Sequence, residues 1–413
     1  VWTRFRRRSE YFDEPNEYRI LRLVRDTQTI SRTEISQQIK LSKPTVSDIV
    51  GRLLRGGFLL SVGESTSTTR GGRRRELLRF NPIAGYVIGI DIGMTSCHVA
   101  VSDLNAKLLA RDSFLYRAGS TADAVLGKAA DLIDDLLRSK GFENEKLVGV
   151  GAGLPGLIER KTGIIRLADT LAGWQGTNIR AFFEERFRVP VYVENDVKAR
   201  ALAEYLFGTG KGIWDQVFVW IGDGIGAGII LDGKLHHGIT ESAGEIGYNE
   251  LGCAIADRKR FPLLYRGQRD FGDILSDSVM VKAYRRHRNG RKPIDVGSIL
   301  RAASSGEKTA QQLLDEVASL TGIVCINLIN TLNPELIVIG GKIVEEDGVV
   351  LKLVQQKVKD DILSVPAEAT KIRPASLGRD GVVLGAVGLV LYDLFKPVRN
   401  WSYSAQELVL ERS

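Results

Sequence analysis

Two short glycine-rich turns, Asp91-Ile92-Gly93-Met94-Thr95 and Gly222-Asp223-Gly224-Ile225-Gly226, each sit between runs of apolar, β-forming residues. Tyr86 to Ile92 reads as a strand, Asp91 to Ser96 as a turn, Cys97 to Ser102 and Lys107 to Ser113 as two more strands. The same order returns later. Gln216 to Ile221 is a strand, Gly222 to Gly226 a turn, Ala227 to Leu231 a strand, and Asp232-Gly233 a further turn. Strand, glycine turn and strand, met twice, constrain the chain to a duplicated α/β core with a cleft between two lobes, its sheets covered by helices such as Ala122 to Arg138 and Ala310 to Asn327. Glycine in such turns lets backbone approach a ligand closely.

The stretch before Tyr86 has a different character. Glu17 to Asp26 forms a first helix with Ile20, Leu21 and Val24 on one face, and Ser31-Arg32-Thr33-Glu34 is a capping box opening a second. Ser42 caps a third helix with Pro44 in its first turn. Val46, Ile49, Val50 and Leu53 keep helical spacing and turn inward, which leaves Lys43, Thr45, Ser47, Asp48 and Arg52 outside, and Gly56-Gly57 ends the helix. Phe58-Leu59-Leu60 and Glu76 to Phe80 are two strands around a basic tip with Arg70, Arg73, Arg74 and Arg75. The order predicts a winged helix-turn-helix over residues 1–80. Lys43, Thr45 and Ser47 are candidates for base edges in the major groove, Arg52 lies behind them, and the wing arginines are candidates for the minor groove or phosphates.

Charge agrees with this division. The chain carries a net charge of +7, yet residues 1–80 hold 17 Lys or Arg against 9 Asp or Glu, while the remainder holds 40 against 41. The whole basic excess therefore sits in the head, the footprint of double-stranded DNA as a partner. Asn81-Pro82 marks the expected boundary, with the body over 82–400. No membrane span or leader is expected. Cys97, Cys253 and Cys325 are too scattered for a disulfide or metal spacing, and a reducing cytoplasm is the expected setting.

From Ser31 to about Phe395 the chain resembles the ROK family (repressors, open reading frames, kinases), in its transcriptional-regulator branch. The resemblance rests on the two glycine turns together with Gly153-Leu154-Pro155-Gly156, Glu194-Asn195-Asp196 and Gly244-Glu245-Ile246-Gly247, all in the family's order. It implies a winged helix-turn-helix fused to a two-lobed actin- or hexokinase-like (ribonuclease H-like) body. It also implies a sugar site, with Asn195, Asp196 and Glu245 at sugar-contacting positions and Gly153 and Asn178 where the family closes over the sugar. Asp196 matches the base of the family's sugar kinases, and Asp91, Gly93, Thr95, Gly222, Asp223 and Gly224 match its phosphate loops.

Two departures weigh against catalysis. Asp223 stands where kinase members of the family have Thr, and an ionised carboxylate repels a polyphosphate instead of donating to it. Tyr248 stands where the family's zinc segment has His, and only Cys253 follows, so no metal is expected. Tyr248 either replaces the lost His contact to sugar or packs, and His236 and His237 read as surface-turn residues. No cofactor is implied. The expected function is a sugar-responsive transcriptional regulator, a repressor without turnover. It would bind palindromic operator DNA as a homo-oligomer, dimer or tetramer, and be modulated by a monosaccharide. The alternative is an ATP-dependent sugar kinase that carries a DNA-binding head. The apolar stretch Leu313 to Ile329 is a candidate dimer surface but is better read as core.

Overall fold

A computed structural model describes residues 15–64, 75–251, 260–287, 294–346, 348–362 and 369–395. Arg70, Arg73 and Arg74 of the wing tip, and Cys253, lie outside the described residues.

The head is built from α1 (Pro15–Thr27), β1 (Ile30–Ser31), α2 (Arg32–Ile39), α3 (Lys43–Arg55), β2 (Leu59–Glu64) and β3 (Glu76–Phe80). Ser31 caps α2 as expected: its Oγ accepts from the Glu34 amide while Glu34 reaches back to the Ser31 amide. Ser42 caps α3 by accepting from Thr45. Val46, Ile49, Val50 and Leu53 are all buried. The strand β1 was not foreseen. Ile30 and Ser31 pair with Leu78 and Leu77, giving a three-stranded sheet in the order β1-β3-β2. Two residues are too few to show a strand period, and Ser31 already reads as a helix cap.

The body begins with a 3-10 turn, Pro82–Ala84. Lobe 1 holds β4 (Tyr86–Ile92), β5 (Ser96–Asp103), β6 (Leu108–Leu115), α4 (Ala122–Ser139), β7 (Leu147–Leu154), the hairpin β8 (Leu157–Glu159) and β9 (Ile164–Leu167), α5 (Ile179–Phe187) and β10 (Val191–Asn195). Next come α6 (Asp196–Phe207) and then lobe 2, with β11 (Gln216–Ile221), β12 (Ile225–Leu231), β13 (Lys234–His236), α7 (Asp277–Arg286), α8 (Val296–Ser304), α9 (Lys308–Leu332), β14 (Leu336–Gly340), α10 (Lys342–Glu345), α11 (Val349–Asp361) and β15 (Lys371–Pro374). A last helix, α12 (Gly381–Phe395), returns to lobe 1.

The two sheets have one topology. In lobe 1 the order is β10-β7-β4-β5-β6, and in lobe 2 it is β13-β12-β11-β14-β15, which is the same order read from the other edge. Each is an antiparallel three-strand meander with two parallel strands added beside its first strand. The duplication inferred from the glycine turns is therefore present at the level of the whole sheet.

Between the sheets lie α6 and α12, packed on each other; α12 covers β4 and β7, and α6 covers β11 and β12. This central layer is unusually close. A Cβ at Gly385 of α12 would stand 2.0 Å from the Ala199 carbonyl oxygen of α6, and one at Gly151 of β7 would stand 1.9 Å from the Ala386 oxygen. Glycine at these two positions lets backbone meet backbone.

Apolar burial forms a core in each lobe, and α9 supplies much of the second. At 25 residues α9 is long and apolar enough to cross a bilayer, contrary to the expectation that no such stretch exists, but most of it is buried inside lobe 2. Leu313 to Ile329, weighed as a dimer surface, lies in that core.

A third core does not respect the boundary drawn at Asn81-Pro82. Ile20, Val24, Ile35, Val50, Phe58, Leu78 and Phe80 of the head share one apolar cluster with Val87, Leu104 and Val148 of lobe 1 and with Val387, Val390, Leu391, Leu394 and Phe395 of α12. Phe80 meets Phe395 edge-on at 5.9 Å, and the Arg25 guanidinium lies 4.1 Å from the Phe395 ring centre.

Candidate functional site

The two glycine turns face each other across a cleft of about 1350 Å³, several times the room a single pyranose ring requires. Its wall brings together nine expected residues: Asp91, Gly93, Thr95, Asn195, Asp196, Asp223, Gly224, Glu245 and Tyr248. Strand pairing explains the gathering. Asp91 at the end of β4 registers with Gly153 of β7, which registers with Glu194 of β10, so the next residues along the chain, Asn195 and Asp196, emerge at the same sheet end. This is the carboxyl end of parallel strands, where open α/β sheets bind ligands.

Three expected residues do other work. Gly153 is not in the wall; it gives Val382 and Ala199 room to pack, with the Asp196 Cα nearby. Gly222 is not in the wall either: its carbonyl accepts from the Asp277 amide, and the Trp220 ring lies against it. Asn178 likewise has a structural task. It caps α5, its side-chain oxygen accepting from the Ala181 amide at 2.9 Å, and it is absent from the cleft wall. The sequence held the signal, since Asn ahead of a helix is a strong cap.

Asn195 lines the cleft and is largely committed to the fold. Its Oδ1 accepts from Val197 and Lys198 at the start of α6, and its Nδ2 donates to the Gly156 carbonyl. Asp196, the first residue of α6, follows it into the cleft. Burial raises the Asp196 carboxyl above its usual range, with Arg200 opposing and Asp223 adding. Burial pushes Asp91 up to about 7, again with Arg200 opposing and with Asp196 adding. Glu245 is also raised by burial, against the pull of Lys198.

Arg200 is the cation that makes this floor tolerable, and the sequence reading missed it. It sits four residues after Asp196, on the same face of α6. Its Cζ lies 4.0 Å from the Trp220 ring centre and its Nη1 donates to the Gly378 carbonyl at 3.1 Å. Burial favours the protonated form of these carboxyls, and a protonated carboxyl both donates and accepts hydrogen bonds, which suits neutral hydroxyls.

The raised Asp91 has a stability consequence. Folded Asp91 keeps its proton to a higher pH than the unfolded chain does. Its contribution is therefore present at low pH and is lost as pH rises between roughly 4 and 7. Asp91→Asn is expected to flatten the fall of melting temperature across that window. An unchanged slope would place the titrating group elsewhere.

Tyr248 is exposed, and its hydroxyl donates to Asp169 Oδ2 at 2.9 Å, so it bridges the cleft mouth toward lobe 1. His236 is exposed as expected, but His237 is not a surface-turn residue. Its ring is half-buried and Nε2 bonds the buried Glu194 at 2.7 Å. Among the described residues no group of three or more His, Cys, Asp and Glu is arranged to hold a metal ion.

On the head, Lys43, Thr45 and Ser47 are exposed on α3, and Arg75 is exposed where the wing returns to β3. Arg52 is drawn inward: it pairs with Glu17 at 2.7 Å and also with Asp48. Arg32, not foreseen on this surface, donates to the Ser47 hydroxyl at 3.1 Å and pairs with Glu76 at 3.0 Å.

Comparison with known proteins agrees with both halves. Residues 87–392 match the ROK family and residues 13–59 match the winged helix-turn-helix DNA-binding family. A xylose repressor of Caldicellulosiruptor bescii is 29% identical over 386 residues, covering 92% of this chain and 96% of its own. The transcriptional dual regulator NagC of Escherichia coli is 27% identical, covering 84% and 85%. The crystal structure of a ROK family transcriptional regulator, a homologue of the E. coli MLC protein, superposes with a TM-score of 0.77 at 22% identity, over 92% of this chain and 96% of that one.

Proposed function

The chain belongs to the ROK family, with an N-terminal winged helix-turn-helix, and from that premise we propose that it is a sugar-responsive repressor of carbohydrate-metabolism genes. The head grips operator DNA, and a monosaccharide in the cleft, held by Asp196, Glu245 and the free part of Asn195, changes that grip. The relative named as a xylose repressor supports a sugar effector. Reading two half-sites requires two heads, so the working unit is a homo-oligomer.

One observation carries this reading: α12 belongs to both sites. Arg379, Asp380 and Val383, at and just before its first turn, line the cleft, while Leu391, Leu394 and Phe395 in its last turns complete the core of the head. Fifteen residues of helix span about 22 Å as one stiff element. Lobe closure on a sugar moves the near end, and the far end is packed into the DNA reader. The sugar must favour one lobe arrangement for this to act, since equal affinity for both shifts nothing.

The same floor argues against turnover. Asp223 presents a carboxylate at the second phosphate loop, where kinase members of the family carry a hydroxyl. A polyphosphate placed there meets like charge.

The test is an operator mobility shift, at fixed salt, with the DNA upstream of the chain's own gene and with D-xylose, D-glucose or N-acetyl-D-glucosamine added. One sugar is expected to change operator affinity. In Asp196→Ala that sugar is expected to bind about thirtyfold more weakly, the loss of two hydrogen bonds of about 1 kcal/mol each, with operator affinity in its absence retained. An intact sugar response in Asp196→Ala would put the pocket elsewhere. Sugar-dependent formation of ADP and a sugar phosphate from ATP, abolished in Asp196→Asn, would overturn the repressor reading in favour of a kinase.

A further inference from the structure

The polar side chains of the cleft come from two lobes, so something must set their spacing. Asn195 and Asp196 stand at the end of β10 and the start of α6, while Glu245 follows the loop that leaves β13 in lobe 2. That loop is tied back at two points.

The first tie is a pair between the lobes, with its carboxyl buried. Glu194, on β10, has a side chain only 4% exposed; that of His237, the residue after β13, is 14% exposed. Glu194 Oε1 accepts from the Asn195 amide at 2.9 Å, and Oε2 lies 2.7 Å from His237 Nε2. A carboxylate only accepts, which assigns the hydrogen to Nε2. Without this donor the second oxygen of a buried carboxyl would lose its partner, a costly arrangement.

The second tie comes from α6. Lys198, 2% exposed, donates through Nζ to the Glu241 carbonyl. Glu241 has φ +61°, a left-handed conformation that a non-glycine residue keeps only where its surroundings hold it. Within the loop the Ala243 amide donates to the His237 carbonyl at 3.0 Å, and the Ala227 amide of β12 then donates to Gly244 at 2.8 Å. Glu245 is the next residue, so the loop that His237 closes runs directly into it.

We propose that His237 is a positioning residue for the ligand: by bonding Glu194 across the lobes it docks loop 237–243 on the segment that carries Asn195 and Asp196, and so sets where Glu245 stands opposite them. It touches no ligand itself and is absent from the cleft wall. The inference rests on the sugar-binding reading for its consequence, but the latch can be tested without a sugar.

Two measurements on the full-length chain decide it. Hydrogen exchange of the sugar-free protein reads the latch: His237→Ala is expected to speed exchange of the Ala243 and Glu245 amides by about tenfold, and His237→Gln, whose amide also donates, to restore it. Calorimetric titration with D-xylose, D-glucose and N-acetyl-D-glucosamine reads the consequence: the sugar that binds the parent is expected to bind His237→Ala about tenfold more weakly and His237→Gln within about threefold of the parent. Exchange unchanged in His237→Ala, or Gln no better than Ala, would overturn the latch. A changed exchange with undiminished sugar affinity would overturn its positioning role. A parent that binds none of the three sugars while the exchange results hold would count against the sugar reading and not against the latch.

Discussion

Gly385→Val is expected to destabilise the protein by at least about 3 kcal/mol, seen as a large fall in the urea midpoint. The added Cβ would stand 2.0 Å from the Ala199 oxygen and 2.9 Å from its Cα. Both are backbone atoms of α6, so no side chain can swing aside and the two central helices must part. Gly388→Ala, one turn on, provides the contrast. Its Cβ would meet the Leu206 methyl at 3.0 Å and the Phe207 ring at 3.4 Å, both ends of side chains. The helical preference of alanine, about 1 kcal/mol over glycine, offsets that crowding, so Gly388→Ala is expected to be near neutral. Equal effects from the two substitutions would mean that the close approach of α6 and α12 carries no special weight.

Phe395→Ala is expected to separate ligand binding from its consequence. The ring is buried where the last turn of α12 meets Phe80 and Arg25 of the head. Truncating a buried phenylalanine costs about 3 kcal/mol, here concentrated where the head docks on the body. The cleft is far from this end of the helix, so sugar affinity should hold. The change in operator affinity on adding saturating sugar should shrink to less than about threefold, where an intact coupling spans about tenfold or more. Anisotropy titration of labelled operator with and without sugar measures both. A full response in Phe395→Ala would mean that closure reaches the head by another route.

Much of the architecture was legible because local sequence carries it. The spacing of Val46, Ile49, Val50 and Leu53 located the buried face of α3, and the pair Ser31 and Glu34 located its neighbour's start. Strand edges such as Tyr86–Ile92 and Gln216–Ile221 agree to the residue, since each run ends in glycine or acidic residues that break it. Two matching glycine turns were enough to infer two matching sheets.

What was missed depends on contacts between distant parts of the chain. His237 looks like a turn residue beside His236 until β13 and β10 bring it to Glu194, 43 residues away in sequence. Arg52 looked available to DNA because its helical face is outward, but α1 places Glu17 against it. Arg200 carries a partial signal, four residues beyond Asp196, yet its stacking on Trp220 follows only from the way α6 lies on β11. Asn178 is the opposite case: a local rule for helix caps accounts for it, and matching it by position to a sugar contact overrode that rule.

A head whose interior is finished by side chains from the far end of the polypeptide is not a detachable module. Cutting the chain at Asn81 would strip Phe395 from Phe80 and Arg25 and break up the apolar cluster that head and body share. Chimaeras that graft this reader onto another sensor therefore need the closing turns of α12 grafted with it.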